Sequence, residues 1–123
     1  MKTWPNDYAY KGDKELFQII SIIFRNNPAF LELMFDPMKP QINFSPEKLI
    51  DITQDYSSGH HLLFKIALDF WSSSGHATVA EVIGILDFSN FQNFLIALAL
   101  RRKIYIREIE FKSYLLGPNI KKD

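Results

Sequence analysis

The 123-residue chain has no cysteine, which excludes disulfides, thiolate catalysis and any zinc site built on sulfur. Long apolar runs are also missing. The longest are Ile19 to Phe24, interrupted by Ser21, and Phe94 to Leu100, far short of the roughly 20 residues a membrane-spanning helix needs. No excess charge of either sign exists, because 14 Lys and Arg balance 14 Asp and Glu, so overall charge draws the chain neither to a polyanion nor to a charged surface. The five glycines are scattered, and none of them forms the glycine-rich loop that cradles phosphate. Met1 to Tyr10 carries Trp4, Pro5, Asn6 and Asp7 where a secretory leader has an apolar run after a basic start. The expected compartment is the cytoplasm, with no membrane partner.

Large apolar side chains are what the sequence has in plenty. Hydrophobic residues reach 47%, aromatics 15%, and Phe occurs 11 times. Each ring removes a large apolar area from water at roughly 25 cal/mol per Å², so a Phe-rich interior is expected. The length suits one domain with a core that needs no disulfide or metal. Its ends are an irregular lead-in over residues 1–12 and a frayed tail over residues 117–123.

Between those ends the pattern is helical. Asp13 can cap a helix that runs through Leu16, Phe17, Ile19, Ile20, Ile22, Ile23 and Phe24, although β-branched content keeps a buried strand in competition. Asn26, Asn27 and Pro28 end it, and Pro28 starts a second helix to Phe35. Pro37, Pro40 and Pro46 stiffen the next loop. Ser45, Pro46 and Glu47 form a helix start leading through Leu49, Ile50 and Ile52 to a stop near Tyr56. Leu62, Leu63, Ile66, Ala67, Phe70 and Trp71 make one stripe of a 3.6-residue period. Thr78 to Glu81 and Ser89 to Gln92 match the capping-box pattern, with Phe88 placed as a hydrophobic staple. The helix from Asn90 to Lys103 contains seven consecutive apolar residues, which predicts a central position and a nearly fully buried Leu95. Ile104 to Phe111 reads as a short extended segment, with helix continuation as the rival. The expected fold is therefore mainly α, a compact bundle of five or six short helices, with a short β element near residues 104–111 as an option.

The chemistry-bearing residues lack the spacings that catalysis or metal binding needs. His60 and His61 are adjacent and point about 100° apart on a helix, unlike the one-face pair of an i, i+4 spacing. His76 belongs to a turn, and a metal site from His60, His76 and a carboxylate such as Asp69 or Glu81 has no supporting ligand spacing. Ser57, Ser58 and Ser72 to Ser74 lie near histidines but lack the G-x-S-x-G elbow of a nucleophile, and they read as caps and turns. Asp51 and Asp55 have the spacing of a solvated helix face. No catalytic residue, metal ligand or cofactor-binding residue is expected, so the chain reads as non-enzymatic.

One pattern goes further. The stretch from His61 to Phe111, with helices ending at Trp71, spanning Val79 to Leu86 and spanning Asn90 to Lys103, then an extended Ile104 to Phe111, resembles a winged helix-turn-helix. That resemblance implies a third helix in the major groove, with Asn90, Gln92, Asn93 and Arg101 on or near the DNA-facing surface. Charge agrees in part: residues 1–100 hold 7 Lys and Arg against 11 Asp and Glu, whereas residues 101–123 hold 7 against 3. A nucleic-acid interface would then use Asn90, Gln92, Asn93, Arg101, Arg102, Lys103 and Arg107. Phe94 and Ile96 depart from the pattern by leaving little of the third helix polar, and basic residues at a helix C-terminus also suit its dipole. The first expectation is a protein-interaction or self-association module acting through a protein partner or homo-oligomer; nucleic-acid binding is the alternative, and a metal protein or enzyme using His60, His61 and His76 ranks last.

Overall fold

The computed structural model describes residues 11–36 and 41–102, and these form six helices: α1 (Lys11–Ile23), α2 (Pro28–Met34), α3 (Pro46–Ile52), α4 (Ser58–Ser72), α5 (Val79–Ile85) and α6 (Phe88–Arg101). The protein is mainly α-helical, as a small bundle. Most of the lead-in, Pro37, Pro40, the segment 104–111 and the tail 117–123 lie outside the described residues.

The helix starts show how local chemistry sets the boundaries. Ser45 accepts from the Lys48 N–H, Ser57 from the His60 N–H, and Thr78 from the Glu81 N–H while the Glu81 carboxylate accepts from the Thr78 N–H. Each cap satisfies backbone donors that the first turn leaves without partners. Two starts differ from expectation. The first helix already begins at Lys11, placing Asp13 inside its first turn, where a carboxylate favours the positive end of the dipole without acting as the cap. The last helix is capped by Asp87, whose Oδ1 accepts from the Asn90 N–H at 2.8 Å. Ser89 is then within the helix, and its hydroxyl accepts from Asn26 Nδ2 at 2.8 Å. Helix α3 ends at Ile52, earlier than expected, where the Gln54 and Tyr56 N–H groups turn to the carbonyls of Asp51 and Thr53, three residues back, and the buried Thr53 hydroxyl donates to Leu49 O at 2.8 Å.

The central helix is α4, whereas the apolar run had placed α6 there. Leu62, Leu63, Phe64, Ile66, Ala67 and Leu68 are all buried, and α4 packs against α1, α3 and α5. The interior is rich in Phe as expected. Phe64 meets Phe24 at 5.2 Å and Phe30 at 5.0 Å between ring centroids, while Phe35 bridges Phe17 and Trp71, both at 5.1 Å. Such inclined pairs add stabilisation beyond the area they bury. Helix α6 instead lies chiefly against α1, so it has one inner face and one outer face.

Candidate interaction surface

The orientation of α5 is set by three contacts made with α4. The carboxylate of Asp69, near the end of α4, accepts from the backbone N–H groups of Gly75, His76 and Ala77 at 2.8, 2.9 and 2.9 Å. It gathers the whole α4–α5 connection, including left-handed Ser73 and His76, into one turn. Gly75 is buried against α4 so closely that a Cβ there would sit 1.7 Å from Lys65 O. Across the same joint the Lys65 ammonium meets Glu81 at 2.8 Å. This pairing, with the Thr78 cap, holds the Glu81 carboxyl below its ordinary value of 4.5, because each bond favours the charged form.

Those constraints turn Val82 inward and Val79, Ala80, Ile83 and Gly84 outward. The outer face of α5 consequently has no polar side chain. Val79 is 75% exposed and Ile83 is 72% exposed, and residues four apart on a helix lie one above the other.

Helix α6 is turned in the same unexpected sense. Its inner face carries Asn90, Asn93, Ile96 and Ala97, all buried. Asn90 Oδ1 accepts from Asn26 Nδ2 at 3.2 Å, whereas the Asn93 amide nitrogen, in a residue only 4% exposed, has no hydrogen-bond partner among the described residues. The outer face carries Phe88, Leu95 and Leu98, with Phe91 at its edge and packed against the core. Phe88 is 59% exposed and Leu98 41%, with Phe91 and Leu95 half-buried. Leu95 is therefore not the nearly fully buried residue that the apolar run implied. A run that is apolar all round permits burial on every side, but only neighbours deliver it, and α6 keeps a side turned away from α1.

The residues singled out for nucleic acid are divided by this arrangement. Arg101 and Arg102 are exposed, Gln92 is half-buried, and Asn90 and Asn93 face α1, which takes two of the amides away from any base edge. Lys103 and Arg107 lie outside the described residues. The histidines are dispersed: His60 stands edge-on to Phe30 at 5.1 Å, His61 Nε2–H donates to Ile50 O at 3.2 Å, and His76 is exposed in the turn. Among the described residues no three His, Asp or Glu side chains group as metal ligands would. Ser57 is a helix cap, and Ser72 and Ser74 share a hydrogen bond at 2.6 Å. Among the described residues no helix is long and apolar enough to cross a membrane.

The outer faces of α5 and α6 were missed at the level of sequence, although signals for them exist. The segment Val79 to Ile85 contains a single polar residue, Glu81, which caps the helix and pairs with Lys65, leaving nothing polar for the far side. In α6 the spacing Phe88, Phe91, Leu95, Leu98 is three, four, three, the repeat of a helix-pairing seam. Compared with known proteins, the chain matches no family model, no curated protein and no solved structure.

Proposed function

We propose that this chain is a non-enzymatic protein-interaction module whose contact surface is the apolar outer side of α5 and α6. The observation that carries this reading is the exposure of Val79, Ile83, Phe88 and Leu98. Large apolar side chains left in water are unfavourable for an isolated protein and recur where proteins meet. The amides of Asn90 and Asn93 are buried while Phe88 and Leu98 are exposed, which serves a partner better than it serves the core. A rigid joint at Asp69, Gly75 and Lys65 holds α5 in place, and a preorganised face loses less entropy on association.

The test compares the native chain with a variant carrying Val79→Glu, Ile83→Lys, Phe88→Gln and Leu98→Gln. Helical content should be kept and the urea midpoint should fall only modestly, since Val79, Ile83 and Phe88 are more than half exposed and Leu98 is 41% exposed, whereas self-association and cross-linked protein partners should be lost. Identical association by both proteins would refute the reading. The nucleic-acid alternative retains Arg101 and Arg102 as exposed cations; anisotropy titration of mixed duplexes at low salt tests it, with affinity falling steeply as salt rises.

A further inference from the structure

We infer that the occupant of the α6 outer face is α6 of a second copy of this chain, packed antiparallel about a twofold axis. The inference rests on the interaction reading above and specifies its partner. Two features of α6 point to it independently.

The first is the spacing of the stripe. Phe88, Phe91, Leu95 and Leu98 are separated by three, four and three residues, a series that reads the same from either end, with Phe88 and Leu98 exposed at its two ends and Phe91 packed in part against the core of its own chain. Reversing one helix against another therefore seats Phe88 opposite Leu98 and Phe91 opposite Leu95 at both ends of the contact. A twofold contact requires such self-complementarity, because residue i meets j and j meets i.

The second is charge. Helix α6 has no acidic residue within it, its N-cap is Asp87, and Arg101 and Arg102 close its C-terminal end. Antiparallel pairing places Asp87 of each copy opposite position 99 of the other, within one turn of Arg102. Parallel pairing places Arg101 and Arg102 beside their own counterparts, which is repulsive. The two helix dipoles favour the same antiparallel sense. A contact between helices of 14 residues, about 21 Å long, is smaller than a standard stable interface of about 800 Å² per partner, so the association is reversible and concentration-dependent.

Sedimentation equilibrium at low salt should show a monomer–dimer equilibrium. Leu98→Glu should shift it at least tenfold toward monomer at unchanged helical content. The double change Arg101→Glu with Arg102→Glu should also weaken an antiparallel pair several-fold, and should leave a parallel one unchanged. Orientation is read directly because the chain has no native thiol. Isotope-labelled Phe88→Cys mixed with unlabelled Leu98→Cys should join through a short bis-maleimide, whereas Leu98→Cys alone should not, its two thiols being ten residues, about 15 Å, apart along the helices. A strictly monomeric native chain at high concentration, a dimer indifferent to Leu98→Glu, or cross-links confined to like positions would each overturn the inference. A monomeric chain that still loses a cross-linked partner in the four-residue face variant would sink this pairing while leaving the interaction reading intact.

Discussion

Replacing Gly75 by alanine adds one methyl group at the joint between α4 and α5, and the structure gives its consequence a magnitude. The new Cβ would lie 1.7 Å from Lys65 O and 2.6 Å from Lys65 C, against the 3.0 Å that real Cβ contacts respect. Helix α4 cannot retreat, because Phe64, Ile66, Ala67 and Leu68 on either side of Lys65 are locked in the core. The connection must move instead, and it is held by three hydrogen bonds to the Asp69 carboxylate. Bonds to a charged acceptor contribute about 1.5 to 3 kcal/mol each, and losing one or two of them, with some of the α5 docking, costs about 3 to 5 kcal/mol. That is a large share of the roughly 5 to 15 kcal/mol of a typical domain. With a urea slope near about 1.5 kcal/mol per M, the midpoint falls by about 2 to 3 M. The same chemical change at Gly84 supplies the control. A Cβ there meets nothing within 4 Å, and alanine in an exposed helix stabilises by about 0.5 to 1 kcal/mol. Urea unfolding followed by circular dichroism should separate the two variants in opposite directions. Equal midpoints would show that the α4–α5 joint is not the rigid contact described above.

Other expectations follow from the same contacts. Because Glu81 is held below its ordinary value of 4.5 in the folded chain, its ion pair stabilises above that pH and the contribution disappears as pH falls through the folded pKa; the urea midpoint of the native chain should drop more steeply from pH 5 to pH 3 than that of Glu81→Gln. Phe64→Ala, at a fully buried ring, should cost about 3 to 5 kcal/mol, whereas Leu95→Ala, at a half-buried side chain, should cost about 1 to 2 kcal/mol; equal losses would contradict the assignment of α4 as the centre. Asn93→Leu keeps the branched shape while removing an amide nitrogen that has no partner among the described residues, and calorimetry should show a gain of about 1 to 2 kcal/mol. A loss of similar size would mean that the amide is satisfied after all.

Much of the fold was legible because it depends on local chemistry. Ser45 with Pro46, the Thr78–Glu81 box and the stripe from Leu62 to Trp71 each announce a helix through interactions among neighbours in sequence, and each stands where expected. Where the reading failed, two local candidates competed or tertiary placement decided. Asp87 and Ser89 are both good caps, and Asp87 prevails while Ser89 is engaged by Asn26, 63 residues away in sequence. The near-continuous apolar surface of α6 could not say which side would meet α1. The Asp69 strap was illegible for a similar reason, since a lone carboxylate near the end of a helix carries no sign that three later backbone donors will converge on it.

The orientation of α6 also shows how a surface can be specified against the hydrophobic gradient. Turned by half a revolution, the helix would bury Phe88, Leu95 and Leu98 and return Asn90 and Asn93 to water at the expense of Ile96 and Ala97, a trade of three large side chains for one large and one small. Two contacts oppose it. Asn26, just beyond the end of α1, donates to both Ser89 and Asn90, and on the flank toward α4 the Phe94 ring rests against Phe70 at 6.3 Å. The small side chain of Ala97, fully buried, permits close approach to α1 that a leucine at the same point would block. Position 97 thus selects the inner face by size, Asn26 anchors it by hydrogen bonding, and the large residues are left outside. A conflict of this kind between local preference and observed placement is where function is expected to reside. In α6 it concentrates on Phe88 and Leu98, the two large apolar side chains left exposed.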